Sequence, residues 1–590
     1  MGGRPTISGK FIIPAVAAAL MASACTSDTG DTPAINTLVA NSSELARPAK
    51  PMTVGSSGFG NYLAGRQALK MRDFSAAADY LGRALADNPD DELLLRRTFL
   101  ARLSHGQVHQ AMDMAHRIVD EDATSPIARL ALVVDAIKAG KLKQAEADLA
   151  KFPDRGFNGL MKPLLSAWVI VGEGRGKDAL AALEPLRRQE GLHVLYELHA
   201  ALIADVAGMP KTAFAHFKRA AESSQRATLR VVQGLGRQYE RAGEPAKAKA
   251  LYESYMKENP DSVVLGPALE RIAKGTKPPL LIGNAADGVA EALFNIASTI
   301  TRDNSSQLAL IYGRLANYLR PNFDLAQMLV AGILESMDRY NDAIVTYGEV
   351  TEQSPLYWSA QLRIASNLEA MDKDEDATRL LLRLTKMFPD RPDTFISLGD
   401  IYRSNKKYTE SVEAYDRAAE LLGHIDRRHW TLLYSRGISL ERSNQWARAE
   451  KDFRHALKLN PEQPYVLNYL GYSWVDQGIN LDQAQKMIER AVQLRPDDGY
   501  IVDSLGWVKY RLKQYPAAVE QLEHAVELRP QDPTINDHLG DAYWRVGRHN
   551  EARYQWRRVL TLDPDPDMVP EVERKIRDGL GPAAPPGKDS

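Results

Sequence analysis

At 590 residues the chain is too long for one compact core, so several domains or an extended array of small units are expected. Its 74 Lys and Arg against 76 Asp and Glu leave a net charge of −2, which excludes the strongly basic composition of a dedicated nucleic-acid binder. Only one cysteine occurs, Cys25, so thiolate metal sites and cysteine nucleophiles are excluded from everything that follows it. The chain begins with Arg4 and Lys10, then the apolar run FIIPAVAAALMA and the small residues SAC. That order reads as a secretory signal over residues 1–24, and the run is too short to span a bilayer as a stable helix. Cleavage at Ala22-Ser23-Ala24 suits ordinary signal peptidase and would leave Cys25 as a free, incidental thiol.

The same residues resemble a bacterial lipobox, in which Cys25 becomes the acylated N-terminus. Ala22 stands where lipoboxes usually carry Leu, and the nearest leucine is Leu20. A chain that otherwise avoids cysteine, yet places one directly after a signal region, favours lipidation, and multiple acyl chains anchor firmly to a membrane. Thr26 follows the cysteine where Asp often marks inner-membrane retention, so the resemblance implies outer-membrane sorting. Residues 25–57 are rich in Ser, Thr, Pro and Gly without periodicity and read as a flexible tether with a reach of roughly 30 Å.

From residue 58 a period of about 34 appears. Two sets of prolines keep it: Pro321, Pro355 and Pro389, then Pro461, Pro496, Pro530 and Pro564. Twelve residues before most of these prolines stands a small residue (Ala343, Ala449, Ala484, Ala518, Ala552), and eight before them a bulky one (Tyr347, Phe453, Ile488, Leu522, Trp556). This pattern predicts a pair of antiparallel helices per repeat: small residues allow close approach, the bulky one fills the gap, and proline ends the second helix. Gly399, Gly437, Gly471, Gly506 and Gly540 mark a close contact in the first helix, and Gly478 and Gly547 suit the turn between helices. The N-terminal half keeps the step more faintly through Ala111, Ala145, Ala179 and Ala213.

The pattern resembles the tetratricopeptide repeat. The resemblance implies an all-α superhelix of about fourteen helix-turn-helix repeats in two arrays, six over 58–262 and eight over 290–566. The segment 263–289, containing GTKPPLLIGNAADG, breaks the phase and is expected to connect the arrays. Residues 567–580 read as a capping helix over the last apolar face, and 581–590 as a disordered tail.

Catalytic signatures are missing. There is no His-Glu-x-x-His, no phosphate-binding Gly-x-x-x-x-Gly-Lys-Ser/Thr loop and no Gly-x-Ser-x-Gly elbow. His105, His109 and His116 come nearest to a histidine cluster but straddle a predicted turn, so neither a metal nor another cofactor is expected. The repeats leave no stretch for a separate catalytic domain, and the chain is read as no enzyme.

In the tetratricopeptide family the first helix of each repeat lines a concave wall, and one stripe of it contacts peptides. Carried onto the last three repeats, that stripe gives Tyr465, Asn468 and Tyr472, then Tyr500, Asp503, Trp507, Tyr510 and Arg511, then Asp537, Asp541, Trp544 and Arg545. Asn468, Asp503 and Asp537 are equivalent positions whose side chains could bond a peptide main chain. The rings supply contact area, and the arginines could hold a carboxylate in a bidentate pair. The same rings and Asp–Arg pairs could equally pack one repeat against the next. The groove reading is expected to be strongest for the third row, whose charges make poor core residues.

Taken together, the chain resembles outer-membrane tetratricopeptide lipoproteins that serve periplasmic carboxyl-terminal processing proteases as adaptors. That resemblance implies a non-enzymatic, periplasm-facing scaffold that brings cell-wall (peptidoglycan) hydrolases to such a protease. It would meet the membrane only through its lipid and bind no nucleic acid. The alternatives are an assembly or stability factor for an envelope machine, such as a pilus, a polysaccharide exporter or an outer-membrane complex, and, least favoured, an enzyme with a site on the concave wall at Asp503 or Asp541.

Overall fold

The computed structural model describes residues 57–581 except 155–156, 224–225, 261 and 302–304. Cys25, the signal segment, nearly all of the tether and the residues after 581 lie outside them. Every described element is helical, and the helices follow one another as fourteen successive pairs, six from Gly58–Lys70 to Pro245–Glu258 and eight from Ala285–Ile300 to His549–Val559. The small and bulky positions of the period behave as expected. Ala343, Ala449, Ala484, Ala518 and Ala552 are fully buried, and so are Phe453, Ile488, Leu522 and Trp556. Each first-helix glycine receives the bulky residue of its own second helix. A Cβ on Gly437 would come within 2.6 Å of the Phe453 ring, and one on Gly506 within 2.5 Å of Leu522. Burying a ring or a branched side chain in this way is worth about 1.5–3 kcal/mol and holds the two helices of a repeat together.

The described chain divides into two compact units, 57–380 and 381–581, with the boundary inside the helix Asp374–Met387. The segment 263–289 is therefore not where the units part. It contains a short helix, Gly266–Ala273, and the start of the helix Ala285–Ile300. That helix and its partner Ser306–Leu319 turn back onto the preceding repeats. The first packs on the first helices Pro126–Lys138, Phe157–Gly172 and His193–Val206, and the second on Glu92–His105 and Pro126–Lys138. An apolar core runs through both, from Leu130 and Leu165 to Val289, Leu293 and Leu315.

Polar contacts fix this fold-back in register. Glu291, fully buried, takes a bidentate pair from Arg230, with its Nε at 2.8 Å. Burial opposes ionisation of Glu291, but the adjacent Arg230 outweighs it and holds the carboxyl below its ordinary range. Tyr318 donates its hydroxyl to Asp135 at 2.8 Å, and Lys138 bonds the Tyr318 carbonyl. Gly288 lies flat on the Trp168 ring, where a Cβ would overlap the indole. Trp168 donates its indole N–H to buried His199 at 3.0 Å, and burial pushes that imidazole down to about 4.

In the unit 381–581, first helices of successive repeats touch: Pro464–Gln477 meets Gly499–Arg511, which meets Pro533–Arg545. The helix Val569–Asp578 closes this unit by packing on His549–Val559 and burying Val572. No described helix is long and apolar enough to cross a membrane.

Candidate peptide-binding stripe

The stripe of the last three repeats is formed by the helices Pro464–Gln477, Gly499–Arg511 and Pro533–Arg545. Each begins at a side-chain cap that fixes its entry: Gln463 accepts from the Tyr465 N–H, Asp498 from Tyr500, and Asp532 from Ile535. The caps set the rotation, so the same repeat positions come to lie along one wall.

The three rows have different surroundings. In the first, Tyr465, Asn468 and Tyr472 are half-buried. Tyr465 lies under the Arg495 guanidinium at 5.8 Å. Asn468 Oδ1 is buried and accepts no hydrogen bond among the described residues. Burial raises the Tyr472 phenol well above its usual range, and the carboxylates of Asp503 and Asp476 add to it. In the second row, Tyr500 is 43% exposed with the Arg529 guanidinium 4.9 Å over its ring, and Arg511 is exposed, reaching Asp476 at 3.7 Å.

The rest of the second row is committed inside the repeat stack. Asp503 is only 7% exposed and faces His538 Nδ1 of the next repeat at 2.9 Å. Trp507 is sandwiched between Tyr510 at 4.8 Å and His538 at 4.1 Å, both near parallel. Burial works against protonation of His538, but the Asp503 charge prevails and raises its pKa above 6.5. For these residues packing between repeats, not an open groove, describes the geometry.

The third row differs most from expectation, because its charges are taken up by the chain itself. Lys575, on the terminal helix and 6% exposed, donates to Asp537 at 2.8 Å and to Asp541 at 2.8 Å. Asp541 also accepts from the Trp556 indole at 3.1 Å. Burial and the like charge of Asp537 push its carboxyl up to about 6 in spite of Lys575. Trp544 donates to the Leu580 carbonyl at 3.2 Å, and Arg545 donates to the Gly581 carbonyl at 2.7 Å and to the Tyr510 hydroxyl at 3.3 Å. Two carboxylates are poor core residues only when unpaired, and the buried ammonium makes this pair tenable. Lys575 and His538 escaped the sequence reading. The signal for the former was a lysine between Val572 and Ile576 on the apolar face of a capping helix.

Tyr465, Asn468, Tyr472, Tyr500 and Arg511 form a half-buried to exposed patch of rings, with an amide oxygen that lacks a donor among the described residues. Its chemistry suits a peptide: rings for contact and an amide for the main chain. Among the described residues no group of three His, Cys, Asp or Glu side chains is placed to hold a metal ion.

Models of the tetratricopeptide repeat match residues 233–262, 362–423 and 430–463, and a TPR-repeat model matches 506–547. Over 132 residues the chain is 30% identical to the TPR repeat-containing protein PA4667 of Pseudomonas aeruginosa. That match takes in 22% of this chain and 22% of the relative's length. Among solved structures, the chain is similar to the APC/C hetero-tetramer Cut9–Hcn1 (14% identity, 89% of this chain and 97% of that one, TM-score 0.37). It is also similar to YrrB, described as a TPR protein with an unusual peptide-binding site (18% identity, 33% of this chain and 97% of that one, TM-score 0.26). The chain carries tetratricopeptide repeats, and its described residues form an all-helical solenoid of the kind that such repeats build.

Proposed function

We propose that the chain is a lipid-anchored scaffold of the outer membrane that faces the periplasm and presents cell-wall hydrolases to a carboxyl-terminal processing protease. Its partner surface is the stripe on Pro464–Gln477 and Gly499–Arg511. One observation carries the surface assignment: among the described residues the buried amide oxygen of Asn468 has no donor, and half-buried Tyr465 and Tyr472 lie on the same helix. A buried acceptor left unmade costs about 1–3 kcal/mol, and a peptide N–H crossing the stripe would recover it. The anchoring half of the proposal is supported by the signal segment and Cys25, and the scaffold half by the repeats, a fold typically without enzyme activity.

A tagged full-length chain, cross-linked in intact envelopes, should capture a processing protease or a peptidoglycan hydrolase. Capture should fall in a Tyr472→Ala, Asn468→Ala double variant that keeps its helicity. Recovery of pilus or exporter subunits in their place would favour an assembly factor, and recovery of neither class would defeat the scaffold reading. Anchoring is tested separately: Cys25→Ser should release the protein from membranes or leave its precursor unprocessed.

A further inference from the structure

The phase-breaking segment with its paired prolines forms one wall of a cavity of about 450 Å³ in the unit 57–380, far from the stripe in sequence. The cavity is open on one side, and its size is in the range that takes a small ligand. Four arginines line it: Arg230, Arg237, Arg271 and Arg320. The single carboxylate in the lining is Asp324, which accepts from the Ser354 hydroxyl. The apolar walls include Leu265, Leu281 and Phe323.

The four cations are not equally neutralised. Arg230 is paired with Glu291, and Arg271 with Glu240 at 2.7 Å. Arg320 reaches Asp287 only at 3.9 Å, and its Nη1 is buried without an acceptor. Among the described residues Arg237 has no carboxylate partner within ion-pair distance: its Nη1 donates to the carbonyls of Pro279 and Leu280 at 3.2 and 3.0 Å. Burial, reinforced by the like charges of Arg271 and Arg230, pushes the Arg237 guanidinium down to about 10, so it remains a cation at neutral pH. Among the described residues Nε and Nη2 of Arg237 and Nη1 of Arg320 donate no hydrogen bond.

We infer that this cavity binds an oxyanion, a carboxylate or a phosphate, carried on a short apolar body. Guanidinium forks match oxyanion geometry, and their spare N–H groups are what an oxyanion would occupy. The apolar lining would take the body, which no free inorganic ion possesses. This site goes beyond the scaffold role and does not depend on it.

The test is calorimetric titration of the full chain with hexyl phosphate, hexanoate, inorganic phosphate and, as the uncharged control, hexanol. Hexyl phosphate or hexanoate should bind, hexanol should not, and inorganic phosphate should bind more weakly than hexyl phosphate. Arg237→Gln and Arg320→Gln, each with helicity and unfolding midpoint recorded, should each weaken the anion by about tenfold, the loss of one charge-assisted hydrogen bond. Arg237→Lys should restore part of it. Absence of binding by the wild type at about 10 mM of either hexyl anion, weaker than about −3 kcal/mol, would overturn the inference. So would unchanged affinity in both folded variants, the result expected if Arg237 merely braces the Pro279–Leu280 turn. Equal affinity for inorganic phosphate and hexyl phosphate would overturn the assignment of an apolar body.

Discussion

The same repeat is put to opposite use in the two units. In the first, the helices Pro126–Lys138, Phe157–Gly172 and His193–Val206 are buried almost all round, and the hairpin 285–319 covers them. In the second, the corresponding faces of Pro464–Gln477 and Gly499–Arg511 keep half-buried rings, an unsatisfied amide and an exposed arginine. The difference teaches that a superhelical wall is not by itself a binding site. A wall lined with apolar residues recruits a segment of its own chain, whereas one lined with tyrosine, asparagine and arginine can stay wet and wait for a partner.

The largest test of that contrast is the Arg230–Glu291 pair, which ties the covering hairpin down. Arg230→Ala leaves a fully buried carboxylate without its cation and should destabilise the unit 57–380 by about 3–5 kcal/mol. Amide exchange of peptides from each unit should show the loss there and leave 381–581 unchanged. Adding Glu291→Leu should recover much of it.

Next in size, the two units should respond to pH with opposite sign. His199 titrates at about 4 when folded against 6.5 when unfolded, so between these values the unfolded chain binds the extra proton. Its contribution is present above pH 6.5 and is lost, by about 3 kcal/mol, as pH falls through 4. Asp541 titrates at about 6 when folded, above its ordinary 3.8, so there the native state binds the extra proton and stability falls as pH rises from 3.8 through 6. His538, raised above 6.5, continues that trend: its contribution is full below 6.5 and lost as pH climbs through the folded value. Unfolding of each unit between pH 4 and 8, read by exchange, should show this divergence. His199→Gln should flatten the acid-side loss in the first unit, and Asp541→Asn the opposite slope in the second.

A smaller effect is expected at Gly288. Gly288→Ala forces the hairpin off the Trp168 ring and should cost about 1–3 kcal/mol, read as a lower urea midpoint. Smallest in stability is Asn468→Ala, expected to lie within about 0.5 kcal/mol, since relief of the orphaned acceptor offsets the packing lost with the half-buried side chain. Its effect should instead appear in partner capture.

These expectations also mark what was legible in the sequence. The period, the alanine and proline positions and the first-helix glycines lead to the hairpins, because each repeat packs on its nearest neighbours and the signal is local. The fold-back was not legible, because its contacts span long separations: Arg230 to Glu291, or Asp135 to Tyr318. The clue was compositional. HVLYELHAALIADV is apolar on nearly every side, whereas YIVDSLGWVKYRL is not. At the stripe, the positions were legible but their occupancy was not. Asp503 and Asp541 stand where a groove residue would, yet His538 and Lys575 claim them, and neither partner belongs to the repeat pattern.

The most direct measurement is site-specific photocross-linking in intact envelopes, with the probe at Tyr500 on the second unit or at Asp135 on the first. The Tyr500 probe should trap a processing protease or a cell-wall hydrolase, and the Asp135 probe should trap only residues around Tyr318 of the same chain. A Tyr500 probe that traps neither, or an Asp135 probe that traps a second protein, would contradict the assignment of one wall to the chain itself and the other to its partner.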